Sequence, residues 1–242
     1  HKTEEKETKR TPIKQRKKEN EVLRFIREHI RYFAAGALVV VLILVLAMCA
    51  KPKGSDSDVV VNATESTQAT EEAYQVDANE NINALITQYY TAYAAGDVAT
   101  LSSIATPISA NEQSYIGLFS QYVDEYQNIK CYTKTGLDAN SYLVSVSMEI
   151  KFTGVDTTAP GLDFFYVRTN DDGSLYIDNL YSQYNLANQE NALDTSVQSL
   201  IGQFESESDV VELQSEIQTR YDEALAADEN LSNMIQTTIP AA

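Results

Sequence analysis

The feature that most constrains this chain is an apolar segment of 19 uncharged residues that begins at Tyr32 and ends at Ala50. As an α-helix it would be about 28 Å long, close to the hydrocarbon thickness of a bilayer, about 30 Å. A buried helix of a soluble protein normally carries a polar stripe, which this segment lacks. The segment 32–50 therefore predicts one transmembrane helix in contact with the lipid bilayer.

The charges on either side of this segment predict its orientation. Residues 1–31 contain 11 Lys and Arg residues, whereas only Lys51 and Lys53 follow the segment closely. Basic flanks stay in the cytoplasm. We therefore expect a single-pass signal-anchor protein of the cell membrane, with a cytoplasmic amino terminus and an extracytoplasmic carboxyl-terminal part.

A bacterial lipoprotein signal is the rival interpretation of the same segment. The residues 46–49 resemble the lipobox that precedes a lipidated cysteine, with Cys49 as the acceptor. Met48 departs from that pattern, because a small residue is usual there. Both interpretations place the rest of the chain outside the cytoplasm.

The part of the chain that follows is strongly acidic. Residues 54–242 contain 29 acidic and five basic residues. Such a surface repels phosphates, so we expect no nucleic-acid partner. Histidine occurs only at positions 1 and 29, so no metal site and no cofactor are predicted. Cys131 lacks a histidine to activate it and is interpreted as a core residue.

Changes in composition divide the chain into five predicted parts. These are a basic cytoplasmic segment 1–31, a transmembrane helix 32–50, a disordered acidic linker 51–80, an α+β domain 81–185 and a helical extension 186–242.

Hydrophobic periodicity gives the elements of the α+β domain. Helical spacing predicts a first helix from residue 81, ended by Gly96 in a left-handed conformation, and a second helix capped by Asp97. A third helix is predicted at roughly 111–126. Alternating residues then predict four antiparallel strands, of which 141–152 is the clearest, with one face buried and the other in water.

The turn at 170–173 reads Asn-Asp-Asp-Gly, which superficially resembles a calcium loop. In such a loop the glycine follows a ligand by five residues, and that position is Arg168. The turn is therefore predicted to close a β-hairpin.

The end of the first helix, Tyr89-Tyr90-Thr91-Ala92-Tyr93-Ala94-Ala95-Gly96-Asp97, and its place before a short second helix resemble the nuclear transport factor 2-like fold, also called SnoaL-like or cystatin-like. The resemblance covers residues 81–185. It implies helices packed on a curved antiparallel sheet with a cavity between them. Enzymes of this family place an Asp or His and a Tyr in that cavity, whereas other members serve assembly.

Two carboxylates are candidates for acid–base chemistry in such a cavity, namely Asp163 and Asp178. Each alternates with apolar neighbours along its strand, so the sequence favours both side chains facing water and gives neither a firm catalytic role. The chain beyond residue 50 contains 14 Tyr. Because a tyrosine has an apolar ring and a polar hydroxyl, these residues suit either a hydrophobic core or a partly hydrated contact surface. The candidate ligand or partner contacts are Tyr142, Tyr166, Tyr176, Tyr181 and Tyr184.

These observations favour a non-enzymatic, membrane-anchored extracytoplasmic domain that binds a partner or takes part in assembly. Its expected partners are an envelope protein or a second copy of the chain. One alternative is a small-ligand enzyme of the SnoaL or ketosteroid-isomerase type. The other is a scaffold subunit of a secretion or conjugation machine, although the chain looks more like the uncharacterised Gram-positive surface proteins of this family.

Overall fold

A computed structural model describes residues 72–239 of the 242-residue chain. The predicted cytoplasmic segment, the apolar segment 32–50 and Cys49 lie outside the described residues. Within residues 72–239, no helix is both long enough and apolar enough to cross a membrane.

The described residues form seven α-helices and six strands. In chain order they are β1 Gln75–Val76, α1 Glu80–Ala95, α2 Val98–Ile104, β2 Ala105–Thr106, α3 Ala110–Phe119, β3 Val123–Thr135, β4 Ser141–Phe152, β5 Ala159–Thr169, β6 Leu175–Asp178, α4 Gln183–Asn188, α5 Thr195–Phe204, α6 Ser208–Ala227 and α7 Glu229–Asn233. Two 3₁₀ turns, Ser120–Tyr122 and Asn179–Tyr181, and a π-helical turn, Met234–Thr238, complete the set.

The strands form one mixed sheet in the order β1-β3-β4-β5-β6-β2. The strands β3 to β6 form an antiparallel meander, whereas β2 lies parallel to β6. The predicted fold class, with helices on a curved and purely antiparallel sheet, is therefore wrong for the described residues, since their α+β fold has a mixed sheet. Strands of two residues such as β1 and β2 are too short to show a period of two, so no pattern in the sequence predicts them.

The junction between the first two helices confirms the capping predicted from the sequence at Gly96 and Asp97, and Asn79 is a further cap. Asn79 starts α1 by accepting hydrogen bonds from the backbone N–H groups of Asn81 and Ile82. Gly96 ends it at φ 63°, a conformation that costs glycine least. Asp97 then caps α2 by accepting a 3.0 Å bond from the Thr100 N–H.

The third helix is shorter than predicted, because it ends at Phe119 and Tyr126 belongs to β3. Tyr126 pairs with Ile150 across the sheet, and this long-range pairing overrides a helical spacing of aromatic residues. Asn128 has a φ of 53° and lies where the β3–β4 register shifts, so the strand bulges there.

Helices cover both faces of the sheet, contrary to the predicted wet face of β4. The first face packs on α1 to α3 and on the end of the chain, including Leu231 and Ile235. The second face packs on α5 and α6. Ser145 and Ser147, on the face of β4 predicted to be in water, are therefore buried.

The last residues of the predicted linker belong to the fold. Strand β1 pairs with β3, and the Tyr74 hydroxyl lies 2.8 Å from Ser145 Oγ. Tyr74 also lies under the Lys134 ammonium group, 4.6 Å from the ring centroid. Segment 72–79 is thereby fixed to the second face of the sheet.

Candidate functional site

A cavity of about 70 Å³ lies between the helices and the first face of the sheet. One water needs roughly 10–15 Å³ on this measure, so the cavity can hold a group of several atoms. Aromatic rings dominate its wall. Those on α1, α3 and β3 are Tyr89, Tyr90, Tyr93, Tyr115, Phe119 and Tyr126.

Asp163 lines this cavity from strand β5. Its Oδ2 atom accepts a 2.7 Å hydrogen bond from the Tyr90 hydroxyl on α1. Tyr126 stacks beside Tyr90 with its ring centroid 4.6 Å away. The carboxylate is therefore held by a phenol in an aromatic wall, with the part of its surface that is not buried facing the cavity.

The position of Asp163 differs from the sequence interpretation, which placed it toward water. Alternation along β5 puts Asp163 on the face of Phe165 and Val167, which packs on the helices. Its neighbours Leu162 and Phe164 face α5 and α6 instead. Because both faces are covered, apolar neighbours did not imply a wet position for the residue between them.

The low polarity of the site changes the protonation of Asp163. Burial raises its pKa from 3.8 to about 6, and the Tyr90 hydrogen bond opposes this by stabilising the anion. The same burial, together with the nearby Asp163 charge, raises the pKa of Tyr90 well above its ordinary value. Asp163 can therefore exchange a proton near neutral pH while Tyr90 stays protonated.

Glu112 supplies a second buried carboxylate from α3 and is 6% exposed. Both of its oxygens accept from the Asn179 side-chain amide, at 3.0 and 2.9 Å. Burial raises its pKa to about 7, although the Asn179 bonds favour the anion. The sequence analysis did not select Glu112, because a single glutamate on a helix carries no recognisable signal.

Asp178, the other predicted carboxylate, also lines the cavity, but its carboxylate has different partners from that of Asp163. Its Oδ2 atom lies 3.4 Å from Arg168 Nη1, and its Oδ1 atom accepts from the Leu180 N–H at 3.3 Å. Asp178 thus caps the 3₁₀ turn Asn179–Tyr181 and has a cationic partner. Burial raises its pKa, but these contacts oppose the shift.

Three of the five predicted contact tyrosines line the cavity, namely Tyr166, Tyr181 and Tyr184. Tyr142 and Tyr176 do not. The sequence analysis selected none of the five tyrosines that α1, α3 and β3 contribute to the wall. Their clustering was visible in the sequence, but only the fold shows that they surround one carboxylate.

Residues 72–239 contain no group of three or more His, Cys, Asp or Glu side chains placed to hold a metal ion. Cys131 is buried in the hydrophobic core on the first face of the sheet, and burial raises the pKa of its thiol to about 12. The thiol is therefore protonated and unsuited to nucleophilic attack.

The turn at 170–173 closes the β5–β6 hairpin as predicted. The Gly173 N–H donates a 2.9 Å bond to the Asn170 carbonyl, and Gly173 has a φ of 85°. The turn thereby fixes the register that places Asp178 beside Arg168.

Comparisons with known proteins give no family assignment. No protein-family profile matches the sequence, and no curated protein matches it significantly. The chemistry of the site is therefore argued from its geometry, in which three carboxylates with raised pKa values line one aromatic cavity.

Proposed function

We propose that this domain binds a small molecule in the cavity between α1, α3 and the sheet. The observation that carries the proposal is the Asp163 carboxylate, held by Tyr90 at 2.7 Å within a wall of aromatic side chains. Small-molecule sites combine an apolar enclosure with a few placed polar groups, which is the composition found here. The proposal keeps the binding role expected from the sequence and gives it a location.

A screen of small neutral and charged compounds by ligand-observed NMR tests the proposal on the full-length chain in nonionic detergent. Gln183→Trp is the blocking variant, because Gln183 is a half-buried residue of the cavity wall. Gln203→Trp makes the same change on the exposed surface of α5 and is the matched control. We expect hits whose signals disappear with Gln183→Trp and persist with Gln203→Trp. Hits that are equally insensitive to both changes would refute the cavity as the site.

A proton-transfer enzyme of the SnoaL or ketosteroid-isomerase type is the second candidate. The observation that favours it is the pKa of Asp163, which burial raises to about 6, because a general base works best near the ambient pH. Asp163 would accept a proton from a carbon acid in the cavity, and Tyr90 would orient the carboxylate. The resemblance to the nuclear transport factor 2-like fold remains part of this proposal.

Deuterium exchange into simple ketones tests the enzymatic alternative. The wild-type chain is expected to accelerate exchange, and Asp163→Asn to reduce the acceleration by about 100-fold or more, since an amide cannot accept the proton. The control is Asp171→Asn on the exposed hairpin turn. If the ketones bind but their deuterium exchange is not accelerated, the domain binds small molecules without catalysing this reaction.

The location of the domain outside the cytoplasm remains a prediction from the sequence, since the residues that bear on it lie outside the described ones. Protease treatment of intact and of permeabilised cells tests it. An extracytoplasmic domain is cleaved in both preparations, whereas a cytoplasmic domain is cleaved only after permeabilisation.

A further inference from the structure

The charge balance of the cavity wall is one-sided. Glu112, Asp163 and Asp178 line it, but no Lys, Arg or His of the part that the structure describes does. Asp178 has Arg168 beside it, whereas neither Glu112 nor Asp163 has a cationic partner among residues 72–239. Two carboxylates therefore line one cavity without a positive charge from the described residues to balance them.

The basic residues of the described part are all engaged or placed elsewhere. Lys134 pairs with Glu207 and Asp209 on the opposite face of the sheet. Arg220 pairs with Glu149, and Lys151 donates to the backbone carbonyls of the loop after β4. Lys130 is exposed on β3. None of these side chains can neutralise Glu112 or Asp163.

The aromatic wall is the second, independent feature. Tyr89 lies with its ring centroid 5.0 Å from that of Phe165, and Tyr90 lies 4.6 Å from that of Tyr126. Tyr93 and Phe119 extend the same ring cluster. The faces of aromatic rings attract cations, and this attraction is strongest where water is excluded.

The Asp163 carboxylate can receive a ligand from the cavity. Tyr90 donates to its Oδ2 atom from α1. Asp163 is not fully buried and belongs to the cavity wall, so its carboxylate can meet a group that enters the cavity. A cationic group would supply the missing positive charge there.

Resting on the proposed function, we infer that the ligand is a small organic cation, an alkylated amine or quaternary ammonium compound, held by Asp163 and Glu112 within the tyrosine wall. The long-range field favours the same ligand class. Residues 72–239 carry 25 acidic and five basic side chains, so the domain concentrates cations around itself.

Binding is coupled to protonation through the groups that face the cavity. A bound cation favours the ionised forms of Asp163 and Glu112, whose pKa values burial raises to about 6 and about 7. The charge of Arg168 opposes the rise in the pKa of Asp178, whereas the charge of Glu190 adds to the rise in the pKa of Glu112. The other titratable groups of the wall are Tyr89, Tyr90, Tyr93, Tyr115, Tyr126, Tyr166, Tyr181 and Tyr184. Protons are therefore released when the cation binds at about pH 6, and fewer are released at about pH 8.

Calorimetric titration of the full-length chain with three probes of similar shape tests the inference. Choline carries the positive charge, dimethylbutanol replaces its nitrogen by carbon, and pivalate carries a negative charge. At constant ionic strength we expect choline to bind at least about tenfold more tightly than dimethylbutanol, and pivalate to bind least. In buffers of different ionisation heat, choline binding at about pH 6 should release protons.

Two variants remove a negative charge from the site while leaving its shape almost unchanged. Asp163→Asn should weaken choline at least about tenfold and leave dimethylbutanol unchanged, since it removes the charge but little volume. Glu112→Gln gives a second, independent variant with the same expected direction, and Asp171→Asn is the surface control. Equal or tighter binding of dimethylbutanol or pivalate would overturn the inference while leaving small-molecule binding intact. Binding of none of the three would also overturn it, and the fragment screen with Gln183→Trp decides separately whether the cavity binds small molecules.

Discussion

The Tyr90 hydroxyl donates a 2.7 Å hydrogen bond to Asp163 Oδ2 and so joins helix α1 to strand β5 across the cavity. The two residues are separated by 73 positions in the sequence. This contact sets the orientation of the carboxylate and moderates the rise in its pKa.

Replacing Asp163 by Asn should stabilise the domain at neutral pH. The folded-state pKa of Asp163, about 6, is above its ordinary 3.8, so its contribution to stability is present below about pH 4 and is lost as the pH rises through about 6. At about pH 7.5, Asp163→Asn should raise the free energy of unfolding by an amount on the order of 2 kcal/mol, and at about pH 4 by much less. Urea unfolding at both pH values measures this. A gain of the same size at both would contradict the raised pKa, and Asp171→Asn should show no gain.

Replacing Tyr90 by Phe should raise the pKa of Asp163 above about 6. The Tyr90 hydroxyl stabilises the ionised carboxylate, and phenylalanine keeps the ring but removes that donor. Titration of carboxyl carbons by NMR in protein labelled at aspartate measures the midpoint. Tyr142→Phe, at a half-buried position outside the cavity wall, is the matched control and should leave the midpoint in place. A fall in the midpoint with Tyr90→Phe would rule out the stabilising role of the hydroxyl.

Replacing Lys134 by Ala should weaken the packing of α5 and α6 on the second face of the sheet. Lys134 is 3% exposed, and its ammonium group lies 2.5 Å from Glu207 and 2.6 Å from Asp209. Removing it leaves two partly buried carboxylates without a cation, which should cost about 2 kcal/mol in urea unfolding. Lys130→Ala, at an exposed position of the same strand, should cost little. Equal losses of unfolding free energy in Lys134→Ala and Lys130→Ala would show that the ion pairs of Lys134 do not stabilise the packing of the helices.

Replacing Glu205 by Gln should stabilise the domain increasingly as the pH rises from about 4.5 to about 7, and fully above that. Glu205 ends α5, is 3% exposed, and has no hydrogen-bond partner for its Oε2 atom among the described residues. Burial raises its pKa from 4.5 to about 7, so its contribution to stability is lost between these values as the pH rises. Thermal unfolding should therefore show a higher Tm for Glu205→Gln at about pH 8 and almost none of this gain at about pH 4.5. The exposed Glu212→Gln variant is the control, and a gain independent of pH would contradict the prediction.

Local signals in the sequence predicted the local structure well. The left-handed Gly96, the Asp97 cap and the 170–173 hairpin turn all depend on neighbouring residues, and all three are found. The boundary of the third helix was misplaced, because the pairing of Tyr126 with Ile150 joins residues that no local window compares.

The candidate site could be predicted only in part. Asp163 and Asp178 were selected as carboxylates among aromatic residues, but Asp163 was placed toward water. That placement assumed that one face of the sheet is exposed, whereas α5 and α6 cover it. Glu112 and Tyr90 reach the site from separate helices, and their convergence on one cavity depends on how those helices pack.

The sequence by itself determined the charge distribution, the helix caps and the alternating strands, since these follow from composition and from contacts between near neighbours. Only the tertiary structure decided which face of β5 encloses Asp163 and which tyrosines surround it. The physical reason is that burial depends on the second layer packed over a strand. That layer comes from residues far away in the chain, so the pKa of the carboxylate and the character of the cavity belong to the fold as a whole.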